Sequence, residues 1–214
     1  MLVTQFGDIS IGNAAAGLCG GMVFTALDYW HAATVSPTIR PVPGEPLYRY
    51  IVRRLIESWH LPVGVAEYYQ CMNLPDGDTG FDVLGRHIVI DHGLAWRTIQ
   101  VQWPRIRADL DSGTPAALGV VTVASSKPAD LALNHQVLAY DYERSGAEVS
   151  VRVYDPNRAK RDDIWIRFDA GMPTKPSAFA HNLGIGRAVR GFFRTAYTPA
   201  RPPAVSLGTV SSPA

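Results

Sequence analysis

Three side chains in this 214-residue sequence are of the types that acyl-group chemistry needs: the thiol of Cys19, the imidazole of His135 and the carboxylate of Asp155. A thiolate attacks a carbonyl carbon, and an imidazole carries the proton to the leaving group. A carboxylate or amide behind the ring fixes its tautomer. Cys19 opens the segment GLCGGMVFTALDYWHA, where Cys19, Met22, Val23, Ala26, Leu27 and Trp30 recur at helical spacing. A thiol in the first turn of a helix meets free N–H groups and the positive end of the dipole, both of which favour a thiolate. Gly20 and Gly21 are poor helix formers, and two of them there predict a close approach of another part of the chain. Taken alone, a cysteine on an apolar helix face reads as packing, because free cysteines are among the most buried side chains.

The elements that must position the other two groups are strands. His135 stands in LNHQVLAYDY, directly before a branched and aromatic run. Asp155 closes VRVYDPN, and Pro156 forces a turn after it. If the two runs are neighbouring antiparallel strands, the start of one lies beside the end of the other. By itself Asp-Pro-Asn is a turn sequence.

Helical patterns occupy the first half: Leu47, Ile51, Leu55, Ile56 and Trp59 mark a second helix closed by Pro62, and a short one covers Val65 to Met72. Strand-like runs follow at Trp96 to Val101, Ala116 to Val123, Gln136 to Tyr142, Val149 to Tyr154, Ile164 to Phe168 and Val189 to Tyr197, with a short helix at Arg105 to Leu110. This segregation predicts an α+β fold, a helical half packed on an antiparallel sheet. It predicts one domain over 1–197. The Pro-, Ser- and Ala-rich stretch 198–214 is expected to be a disordered tail.

Cys19, His135 and Asp155 in this order resemble the papain-like cysteine peptidase superfamily, nearest to the bacterial double-glycine leader peptidase-like branch. RADLDSGTPAALGVV resembles the helix, turn and strand that precede the histidine there, and GFFRTAY the closing strand. The resemblance spans Gly12 to Tyr197 and implies a cysteine hydrolase that cleaves a peptide or isopeptide bond through a thioester. It also implies an oxyanion-binding amide six residues before the cysteine. The superfamily has Gln there, and this chain has Asn13, the same donor on a stem one methylene shorter. Asp155 is the preferred third member, with Asn157 as the alternative. Transglutaminase-, acetyltransferase- or deamidase-type acyl transfer uses the same triad. A degenerate module that only binds peptides is the non-enzymatic alternative.

Composition narrows the rest. Hydrophobic residues make up 47% and charged residues 18%, enough for a sizeable core. Twenty basic and 19 acidic side chains leave a net charge of +1, which argues against nucleic acid or an acidic membrane as partner. The expected partner is a peptide or protein substrate, with neither cofactor nor metal. No apolar run reaches the roughly 18 residues of a membrane span. Met1 to Ser10 contains no Lys or Arg, so no secretory signal is read. A cytoplasmic protein is expected, with signal-independent export as an effector left open. Asp76, Asp78 and Asp82 read as a polar loop, because Phe81 stands where a calcium loop needs Gly. His87, Asp91 and His92 lack a second cluster at zinc spacing. His181, in a Gly/Ala-rich loop, is a weaker competitor for the histidine role, and Cys71 reads as a buried thiol.

Overall fold

The structure is a computed structural model that describes residues 2–4, 7–9, 17–59, 62–158, 160–174 and 179–204. A short hairpin, β1 (Leu2–Thr4) and β2 (Gly7–Ile9), precedes three helices: α1 (Cys19–His31), α2 (Pro46–Ser58) and α3 (Val63–Asn73). A second hairpin follows, β3 (Thr79–Val83) and β4 (Arg86–Asp91). Next comes a continuous helical stretch made of α4 (Leu94–Trp96), a π-helical middle (Arg97–Gln102) and α5 (Trp103–Asp111). The remaining strands are β5 (Ala116–Val121), β6 (His135–Ser145), β7 (Glu148–Tyr154), β8 (Trp165–Asp169), β9 (Ala180–His181) and β10 (Gly191–Arg194). They form one antiparallel sheet in the order β10-β5-β6-β7-β8-β9. The α+β class, helices first and antiparallel sheet after, is therefore correct.

Each face of the sheet is covered because each strand alternates. Val137 and Ala139 of β6, with Val149, Val151 and Val153 of β7, join Ile99, Trp103 and Ile106 of the long helix in the largest core cluster. Leu138 and Ala117 point the other way and pack on Val23, Phe24 and Leu27 of α1. Gly21 lets α1 and α2 nearly touch: a Cβ there would lie 2.1 Å from the carbonyl oxygen of Ile51.

Three local expectations are corrected. Trp96 to Val101 is helical, although Thr98, Ile99 and Val101 are β-branched. Ile99, Trp103 and Ile106 repeat at helical spacing into the core, and that burial overrides propensity. The helix also protects the sheet edge. Thr98 Oγ1 accepts the Phe192 N–H at 3.2 Å, and Gln102 Oε1 accepts the Arg194 N–H at 3.1 Å. The segment read as a polar acidic loop enters β3, which pairs with β4 in register Phe81↔Ile88.

The third correction concerns the chain end. Residues 198–204, assigned to a disordered tail, are fastened to the helices. Asp28, fully buried, accepts hydrogen bonds from Tyr50 Oη, Tyr197 Oη and the Ala200 N–H at 2.7, 2.7 and 2.9 Å. Arg54 Nη2 donates to Asp28 at 3.0 Å and to the Thr198 carbonyl at 2.8 Å, and Tyr29 Oη donates to the Pro203 carbonyl at 2.8 Å. A buried charge pair needs further hydrogen bonds, and the strap supplies them through the Thr198 carbonyl to Arg54 and the Ala200 N–H to Asp28. Residues 205–214 lie outside the described residues. Among the described residues no helix is long and apolar enough to cross a membrane.

Candidate active site

Antiparallel pairing of β6 with β7 brings the start of one strand to the end of the other. The register Leu138↔Tyr154 and Ala139↔Val153 puts His135 and Asp155 on one face, in line with Val137 and Val153. His135 Nε2 and Asp155 Oδ1 are 2.8 Å apart, with the imidazole 4% exposed and the carboxylate fully buried. Asp155 is held in turn by two backbone donors: the Asn157 N–H bonds Oδ1 at 2.8 Å and the Gly184 N–H bonds Oδ2 at 2.6 Å. These bonds and the imidazole outweigh the upward push of burial and set the Asp155 carboxyl below its ordinary range.

The first turn of α1 supplies the third group. Cys19 lies close enough to the His135 ring to raise its pKa. With Nε2 on Asp155, the ring's other nitrogen, Nδ1, is the one left for sulfur. Burial pulls the His135 pKa down, but the Asp155 carboxylate and Cys19 more than offset it, and the net effect raises it to about 9. Cys19 is partly accessible to solvent, whereas Cys71 is fully buried and its thiol is pushed up to about 12 by desolvation.

The glycine pair after Cys19 has a physical reason. A Cβ on Gly20 would stand 2.3 Å from Ser58 Oγ and 2.6 Å from Gln136 Oε1. A side chain there would force Ser58 or Gln136 to move, between the first turn of α1 and the strand that carries His135. Gly20→Ala is expected to push that turn off the sheet and slow alkylation of Cys19 about tenfold, a loss typical of a small misplacement. Intact-mass kinetics with iodoacetamide measure it.

The sequence candidates thus separate. Cys19, His135 and Asp155 come together. Asn157 serves Asp155 through its backbone, while its side chain reaches the Gly184 carbonyl at 3.4 Å and not the ring. His181 engages the adjacent loop with both nitrogens, at the Arg187 carbonyl and the Leu183 N–H. His92 pairs with Asp78 at 2.8 Å and stacks on Trp96. Asn13 lies outside the described residues.

Sequence reasoning missed Gly184, whose N–H holds the Asp155 carboxylate, and Tyr68, whose hydroxyl donates to the His135 carbonyl at 3.1 Å. The Gly-x-Gly at 184–186 was the available signal for the first. An added Cβ at Gly184 would lie 2.7 Å from Asn157 Cβ, so the residue marks a close approach of two loops. Comparison with known proteins finds no matching family model, no similar curated protein and no similar solved structure.

Proposed function

We propose that the chain is a cysteine hydrolase of papain-like architecture that cleaves an amide bond in a peptide or protein. The observation that carries the reading is the buried His135 imidazole, bonded to Asp155 at 2.8 Å and raised in pKa by Cys19 as well as by Asp155. Cys19 Sγ, as thiolate, adds to the carbonyl carbon. The resulting oxyanion takes the Cys19 N–H, one of the donors a helix start leaves free, and the side-chain amide of Asn13 is assigned as the second donor. His135 Nδ1–H then protonates the amine as the C–N bond breaks, leaving a thioester on Cys19. Water, deprotonated by the same nitrogen, attacks the thioester and releases the acid and the thiolate. Asp155 stays ionised and keeps the ring in place.

The test is alkylation by iodoacetamide from pH 5 to 9 in wild type and His135→Ala, with mass spectrometry locating the label. The expected result is labelling of Cys19 that persists at pH 6 and falls at least about tenfold in the variant, with Cys71 unlabelled throughout. An identical, ordinary thiol profile in both proteins would make Cys19 a packing residue and end the hydrolase reading.

A further inference from the structure

His135 is the first residue of β6, where the hydrogen bonds of the sheet ladder run out and side chains take over. The Thr122 N–H donates to Asn134 Oδ1 at 3.0 Å, and Thr122 Oγ1 donates to the Leu133 carbonyl at 2.8 Å. The carbonyl of His135 itself accepts the Tyr68 hydroxyl. Tyr68 comes from α3, is 8% exposed, and is braced edge-on against Phe193 with ring centroids 4.7 Å apart.

Gln136 follows His135 and turns to the opposite face of β6, toward α1. It is 4% exposed and pairs across the sheet with Gly119, where an added Cβ would stand 2.8 Å from the same Tyr68 hydroxyl. Its Oε1 has no hydrogen-bond partner among the described residues and lies against the Gly20 backbone. Gln136 thus packs on the first turn of α1 at Gly20, and its cross-strand neighbour Gly119 lies under the Tyr68 hydroxyl that bonds the His135 backbone. A buried amide with an unfilled acceptor is costly, and an apolar side chain would fill the same space more cheaply. No proton-transfer step uses either group.

We infer that Tyr68 and Gln136 are positioning residues: together they set the start of β6 against the first turn of α1, so that the His135 ring meets Cys19. The inference rests on the Cys19–His135–Asp155 reading for its functional sense. The hydrogen bond of Tyr68 goes to the backbone of His135 and not to its ring. Tyr68 fixes the His135 carbonyl, and Gln136 spaces the strand from Gly20.

The experiment follows the His135 ring by NMR titration, with the alkylation rate of Cys19 as second readout. It is run in wild type, Tyr68→Phe, Gln136→Met and the double variant. Gln136→Met keeps the volume and removes the amide. Val149→Ala, in the distant core of β7, controls for a general loss of stability. The single variants are expected to lower the His135 midpoint by about one unit and the alkylation rate about tenfold. The double variant should be no worse than the singles, because the two act as one unit. A midpoint and rate that match wild type, or that move no further than in Val149→Ala, would overturn the inference. If His135→Ala leaves Cys19 alkylation unchanged, the triad reading fails, while the His135 midpoint still reports whether Tyr68 and Gln136 position the ring.

Discussion

Cys19→Ala is expected to abolish amide hydrolysis, by about 1,000-fold or more, while moving the melting temperature by no more than about 3 °C. Removing one member of a nucleophile–base pair costs nearly as much as removing the whole set, because the remaining groups have nothing to act on. The stability cost is small because the thiol is only partly buried. For a domain of this size, about 1 kcal/mol moves the midpoint by roughly 2–4 °C. Hydrolysis is measured as fluorophore release from a mixed peptide-amide library, and stability by thermal unfolding. A variant that keeps turnover but melts far lower would show that Cys19 serves the core and that the chemistry lies elsewhere.

Asp155→Ala combines a functional and a structural loss, and its effect depends on pH. The variant strips a carboxylate from His135 and leaves the N–H groups of Asn157 and Gly184 without an acceptor. Removing one partner of a buried charged pair costs about 3–5 kcal/mol, which predicts a fall of roughly 6–20 °C at pH 5.5. The Asp155 carboxyl titrates lower folded than unfolded. Its stabilisation is therefore present above the unfolded value near 3.8, and is lost as pH falls through the lowered one. His135 titrates higher folded than unfolded, at about 9 against 6.5. Its contribution is complete below pH 6.5 and fades as pH rises through 9.

The gap between wild type and Asp155→Ala should thus be widest from about pH 4 to 6.5 and narrow on either side. Urea unfolding at pH 3, 5.5 and 10 reads this. Asp155→Asn keeps an acceptor for the ring but turns an amide N–H₂ toward a backbone donor, so it should fall between the two. A gap that stays constant with pH would mean that no charge pair exists between Asp155 and His135.

Much of the site was legible before any coordinates. Cys19 was marked by its place at a helix start followed by two glycines. His135 and Asp155 were marked by lying at the start and end of consecutive strand-like runs, since antiparallel neighbours bring such ends together. Those signals are local. The choice between Asp155 and Asn157 was not local, because it depends on which of two side chains two residues apart turns toward the ring and which turns toward Gly184. The misread strand at Trp96 to Val101 has the same cause: β-branched residues favour a strand only when nothing else competes. Here Ile99, Trp103 and Ile106 gain more by facing the sheet from a helix.

The sequence by itself determined the class of fold, the order of most helices and strands, and which three side chains are of the types that acyl transfer uses. It did so because hydrophobic period and side-chain type are written in neighbouring positions. Tertiary structure alone decided what surrounds them. It placed Gly184 beneath Asp155, Tyr68 on the His135 carbonyl and Gln136 against Gly20. It also turned residues 198–204 into a strap on Asp28 and Arg54. Each of these contacts joins residues from 29 to 172 positions apart. No periodicity reaches across such distances, and only packing and the satisfaction of buried polar groups select them.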